Sequence, residues 1–179
     1  MGSVTIIIGG VRSGKTAWAE REAIRRSESA GRTPVYLASG VAFDNEMKER
    51  INRHQLDRRQ QDWLTIEQPV RIHESLKKLP SESIVVWDCV TTWLTNELIA
   101  GTEEHQILEY CCSFIDGAAL SHDLLIVSNE VLAEACGPDQ MTADFRKIIG
   151  ELHQMMVKLS HTAIEMESGL ALVRKGAVS

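Results

Sequence analysis

Apolar residues in this chain fall into short unbroken runs, separated by longer stretches in which they recur every three or four positions. The runs at 4–8, 35–38, 84–87 and 124–127 are rich in β-branched residues and show no alternation, the pattern of strands covered on both faces. Helical periodicity marks 15–30, 91–100, 105–120 and 141–159. A very polar stretch at 44–60 reads as a further helix with a thin apolar stripe of Met47, Ile51 and His54 or Leu56. Residues 64–66 form a short strand, and 70–78 a short helix stopped by Pro80. A terminal strand pair, 162–166 and 170–173, flanks Gly169. Strands alternating with helices predict an α/β fold, a mainly parallel sheet with helices on both faces. No linker, repeat or low-complexity tract divides residues 1–179, so one domain is expected.

Composition narrows the function classes. Hydrophobic residues make up 44% of the 179 positions and charged residues 25%, ordinary for a globular chain and unlike a disordered one. No apolar run approaches the ~18 residues of a membrane span, and the first residues lack the basic-then-apolar pattern of a signal peptide, so a cytoplasmic protein is expected. A net charge of −6 argues against a nucleic-acid partner. Trp18, Trp63, Trp87 and Trp93 are too dispersed to form a base-stacking platform. Cys89, Cys111, Cys112 and Cys136 form no CxxC pair and read as buried thiols, with no metal cage in view.

The chemistry begins after the first strand. Gly9-Gly10-Val11-Arg12-Ser13-Gly14-Lys15-Thr16 fits G-x-x-x-x-G-K-[ST], with a strand before it and a helix after it. Glycines let successive backbone N–H groups turn inward around a phosphate, and the following helix adds its positive end. Lys15 would reach the β- and γ-phosphates, and the Thr16 hydroxyl would ligate Mg²⁺. Asp88, ending the run 84–87, is a candidate for the magnesium shell; the alternative is a helix N-cap. A second carboxylate, Glu130, follows the run 124–127 after Ser128 and Asn129, and both acids would lie at the carboxyl ends of strands, where open α/β sheets bind ligands.

Several segments then occur in a telling order. GGVRSGKT is followed by Arg50-Ile51-Asn52-Arg53-His54, by Asp88-Cys89-Val90-Thr91-Thr92-Trp93-Leu94-Thr95-Asn96 and by Ser128-Asn129-Glu130-Val131. Together they resemble the bifunctional adenosylcobinamide kinase / adenosylcobinamide-phosphate guanylyltransferase family of cobalamin biosynthesis, across nearly the whole chain. The resemblance implies a RecA-like P-loop fold, a homotrimer, and two reactions. A nucleoside triphosphate, ATP or GTP, first phosphorylates the hydroxyl of a corrinoid acceptor, adenosylcobinamide. A histidine, here His54, then attacks the α-phosphate of GTP and passes GMP to the cobinamide phosphate. Carried over by position, the loop Gly9 to Thr16 holds triphosphate, and Ser39, Gly40, Val41, Arg50, Glu67 and Asp88 stand at nucleotide-contacting positions. Residues 132–138 replace the glycine-rich loop that follows SNEV in the family, and His153-Gln154 stands for an Asn-Gln pair.

Two rivals fit the residues alone. One is a P-loop kinase or nucleotidyltransferase with another small-molecule acceptor. The other is a non-catalytic nucleotide-binding switch, which would need no nucleophilic histidine.

Overall fold

The computed structural model describes residues 2–40, 62–130 and 140–177. The helix expected at 44–60, with Arg50 and His54, lies outside them. The described chain runs β1 (Val4–Gly9), α1 (Lys15–Ala30), β2 (Pro34–Ala38), β3 (Leu64–Glu67), β4 (Ile84–Asp88), α2 (Val90–Ile99), α3 (Glu104–Ala119), β5 (Asp123–Asn129), α4 (Gln140–Leu159), β6 (Thr162–Glu167) and β7 (Leu170–Lys175). One expectation changes: the short helix at 70–78 is a 3-10 segment, Ile72–Lys78. Arg71 sits in the left-handed region at φ 49°, so no α-helix can start through it, and its N–H is taken by the buried Glu97 carboxylate.

The strands form a single sheet in the order β3-β2-β4-β5-β1-β6-β7. All neighbours are parallel except β7, which returns antiparallel along β6 as the predicted terminal pair. The central runs are apolar throughout because both faces are covered. On one face α1 packs Ala19 and Ala23 against Ile7, Val86, Leu125 and Val127. On the other, α2, α3 and α4 cover Ile6, Val85, Trp87, Leu124 and Ile126. There Trp87 meets Trp93 and Phe114 edge-to-face, with ring centres 5.5 and 5.3 Å apart, geometry that adds to the burial of three large side chains.

Two buried histidines on this scaffold are set to be neutral. The His122 Nδ1 accepts the Ser83 N–H at 3.1 Å, so protonating that nitrogen would break the bond. The His153 Nε2 lies 2.7 Å from the Ser128 hydroxyl. Burial lowers both pKa values; Arg32 adds to this at His122, while Glu130 opposes it at His153. Below the ordinary histidine value near 6.5 the unfolded chain therefore binds more protons than the folded one. Their stabilisation is complete above that pH and is lost as pH falls through it toward the lowered folded values. Each contributes a slope of at most about 1.4 kcal/mol per pH unit in that window. Melting temperatures taken from pH 7.5 downward should drop below about 6.5, and less steeply in His122→Gln. An identical slope in that variant would remove His122 from the account.

Candidate active site

At the carboxyl end of β1 the chain turns sharply through the loop of residues 9–16. Gly9 is required by the close approach of β6: a Cβ there would lie 2.5 Å from the Met166 carbonyl oxygen and 2.6 Å from the Ser13 hydroxyl. Gly14 is required by its φ of 88°, in the left-handed region just before α1. Arg12 shares that region at φ 60°, and Val11 stands exposed at the crest. The Ser13 N–H donates to the Gly10 carbonyl at 3.2 Å, closing the turn. From the turn between β6 and β7, the Gly169 N–H donates to the Ser13 carbonyl at 3.0 Å. Helix α1 then begins on Gly14 with no side-chain cap, which leaves its first N–H groups directed at the loop and ready for an anion.

Lys15 is buried, and its Nζ donates to the Gly10 carbonyl at 2.9 Å. Burial lowers its pKa, while Cys89 and Asp88 nearby favour the charged form. The ammonium is thus held inside the loop by an uncharged carbonyl, a contact that a phosphate oxygen would replace with a stronger one.

Asp88 stands on β4, which is separated from β1 by β5, a gap of roughly 10 Å at ordinary strand spacing. The first turn of α1 bridges it. The Thr16 hydroxyl donates to the Asp88 Oδ2 at 3.3 Å, and the Tyr36 hydroxyl donates to the same oxygen at 2.5 Å. The helix-cap alternative for Asp88 falls, because the N-cap of α2 is Cys89 and the Asp88 carboxylate turns toward α1 and β2. The donor set suits a hard cation. A threonine hydroxyl that gives its proton to Asp88 keeps its lone pairs for a metal, and both residues offer oxygen, as Mg²⁺ requires.

The remaining expected residues fall in different places. Ser39 is wholly buried beneath Asp88: its N–H donates to the Asp88 carbonyl at 3.0 Å, its hydroxyl accepts from Trp87 Nε1 at 2.8 Å, and its carbonyl accepts from Asn96 at 2.8 Å. It buttresses the end of β2, and Gly40 follows it half-buried. Glu67 is exposed at the end of β3, in register with Ala38, which in turn is in register with Asp88. Four strand positions separate it from the loop. Val41, Arg50 and His54 lie outside the described residues. Glu130 follows β5, its N–H donating to the Gly9 carbonyl at 2.8 Å. It lines a pocket of about 390 Å³ beside the loop with Ile8, Gly9, Glu165, Met166 and Arg174.

Two polar residues near the loop were given no site role in the sequence. Tyr36 lay inside a strand run, and Asn129 lay between the better-marked Ser128 and Glu130. Asn129 is the register partner of Gly9 and donates to the Thr91 hydroxyl at 2.9 Å. Strand phase assigns each a face of the sheet but not the strand beside it. Among the described residues no cluster of three or more His, Cys, Asp or Glu could hold a metal, and no helix is long and apolar enough to cross a membrane.

A phosphate loop at the end of a central parallel strand, with a carboxylate facing its lysine and threonine, defines a P-loop nucleotide-binding protein. Solved structures share the fold. The flagellar accessory protein FlaH of Methanocaldococcus jannaschii superposes with a TM-score of 0.56 at 14% identity, over 99% of this chain and 82% of its own. The KaiC-like protein PH0186 of Pyrococcus horikoshii gives 0.59 at 11% identity, over 98% and 79%. At such identities the likeness speaks for the fold alone. Residues 5–173 match the family model of cobinamide kinase / cobinamide phosphate guanyltransferase, and the chain belongs to that family of transferases. It is 29% identical over 177 residues to the bifunctional adenosylcobalamin biosynthesis protein CobP of Pseudomonas aeruginosa, covering 96% of each chain. It is 24% identical over 181 residues to the bifunctional adenosylcobalamin biosynthesis protein CobU of Escherichia coli K12, covering 93% of this chain and 97% of that one.

Proposed function

We propose that this chain performs both transfers of its family on a corrinoid acceptor: phosphorylation of adenosylcobinamide at the loop, then transfer of GMP from GTP through His54 to give adenosylcobinamide-GDP. The observation that carries the first half is the convergence of Lys15, Thr16 and Asp88 at the uncapped start of α1. The loop amides bind the triphosphate and Lys15 exchanges Gly10 for a phosphate oxygen. Thr16 and Asp88 are the residues that would hold Mg²⁺, which when bound neutralises charge developing on the phosphates. The acceptor hydroxyl oxygen forms a bond to the γ-phosphorus as the bond to the β–γ bridging oxygen breaks. The hydroxyl proton leaves to solvent or to a nearby carboxylate.

In the second half, an imidazole nitrogen of His54 attacks the α-phosphorus of GTP and pyrophosphate departs with the bonding electrons. A phosphate oxygen of the acceptor then displaces the imidazole. Whole-chain similarity to two relatives named for adenosylcobalamin biosynthesis supports this half. The homotrimer implied by the resemblance belongs to the same reading.

Incubation with GTP labelled at the α- or γ-phosphate, with and without cobinamide, tests the proposal. The expected result is an acid-labile, base-stable protein adduct carrying the α label, and cobinamide-dependent transfer of the γ label. Transfer of γ to other acceptors alone would point to a kinase of different specificity. Binding without either transfer would point to a switch.

A further inference from the structure

We propose that Tyr36 is a positioning residue for the nucleotide's metal: its hydroxyl fixes the Asp88 carboxylate so that one oxygen is anchored and the other is presented to Mg²⁺. This rests on the kinase half of the function proposed above. Among the described residues, two hydroxyl donors converge on the Asp88 Oδ2, Tyr36 at 2.5 Å and Thr16 at 3.3 Å. The distances rank them. The phenol contact is at the short limit expected of an O–H donor on a carboxylate, whereas the threonine contact is longer than a normal hydroxyl bond. The orientation of Asp88 is therefore set chiefly by Tyr36, and the Thr16 oxygen remains able to serve a cation.

The fold places the phenol there and keeps it there. Tyr36 pairs in register with Val86 on β4, two residues before Asp88, so both side chains leave the sheet on the α1 face. The ring is 9% exposed and packs edge-on against Trp63, with centroids 6.2 Å apart. Below it, the Ser39 N–H bonded to the Asp88 carbonyl fastens the end of β2 to the end of β4. Phenylalanine would keep the ring and its edge-on packing against Trp63 and remove the hydroxyl that donates to Asp88. An Asp88 without its anchor samples more rotamers and must be ordered by the metal itself, which weakens metal binding without touching the loop's own hold on phosphate.

The test is Tyr36→Phe, read by calorimetric titration of GTP at a series of Mg²⁺ concentrations and in EDTA. The expected result is a Mg²⁺ half-saturation raised about tenfold, the lower end of what one charge-assisted hydrogen bond sustains, with metal-free GTP affinity unchanged. Electron paramagnetic resonance of Mn²⁺ on the GTP complex should show the same weakening. In the Asp88→Asn background, adding Tyr36→Phe should cause little further change, since the two act as one unit. An unshifted Mg²⁺ titration overturns the proposal, as does equal weakening with and without metal, which would mark Tyr36 as packing only. If the parent protein itself binds GTP with no dependence on Mg²⁺, the metal reading of Thr16 and Asp88 fails first, and the role of Tyr36 fails with it.

Discussion

Lys15→Ala is expected to slow phosphoryl transfer by between about a hundredfold and a few thousandfold, the range seen when one preorganised charge facing a transition state is removed. Backbone amides supply only partial charges, and the phosphoryl group in flight carries charge on three equatorial oxygens, so the loop's amides cannot replace the full cation held inside it. The fold should survive. Lys15 is buried and its own burial disfavours the charged form, so truncation removes a desolvated ammonium together with one hydrogen bond to Gly10. The two effects oppose each other, and a net change within about 1 kcal/mol moves the melting temperature by only a few degrees. Labelled-phosphate transfer measured beside thermal melting checks both halves. Turnover within tenfold of the parent would remove the lysine, and with it the loop, from the mechanism.

His54→Ala should separate the two activities. A neutral imidazole is a competent nucleophile near pH 7, because its ordinary pKa of about 6.5 leaves most of it unprotonated. Without it the displacement at the α-phosphorus has no covalent route, and guanylyl transfer should fall by about four orders of magnitude or more, as when other nucleophiles are deleted. Phosphoryl transfer, proposed to take place at the loop and not at His54, should remain. Mass spectrometry after incubation with GTP decides the matter. A GMP adduct on another histidine, or one that persists in His54→Ala, refutes the assignment, and equal loss of both activities would make His54 a nucleotide-positioning residue.

How far the sequence could be read differs between the fold and the site. The runs at 4–8, 84–87 and 124–127 reappear inside β1, β4 and β5 because a strand covered on both faces must be apolar at every position. The loop was legible because its glycines answer local demands, φ at Gly14 and close approach at Gly9. The order of strands was not. A buried strand looks the same whichever neighbours it has, so nothing local announced that β2 lies against β4. For that reason the contact of Tyr36 with Asp88 was hidden, and so was the internal bonding of Ser39. Asp88 showed the limit of a one-residue ambiguity: the cap of α2 is Cys89, next to it in sequence but turned to a different task.

Among the described elements, the strand that carries the phosphate loop precedes all the others in the chain and is among the last to be completed. Both of its neighbours, β5 and β6, come from the second half of the chain. Bonds that hold the loop backbone come from Glu130 after β5 and from Gly169 in the turn between β6 and β7. At ordinary rates of translation, the nascent β1 waits on the order of ten seconds before either partner leaves the ribosome. Nucleotide can therefore offer no help to the early chain. Its binding free energy enters only once the terminal hairpin has closed, so GTP present during synthesis or refolding would protect the finished molecule without hastening its assembly.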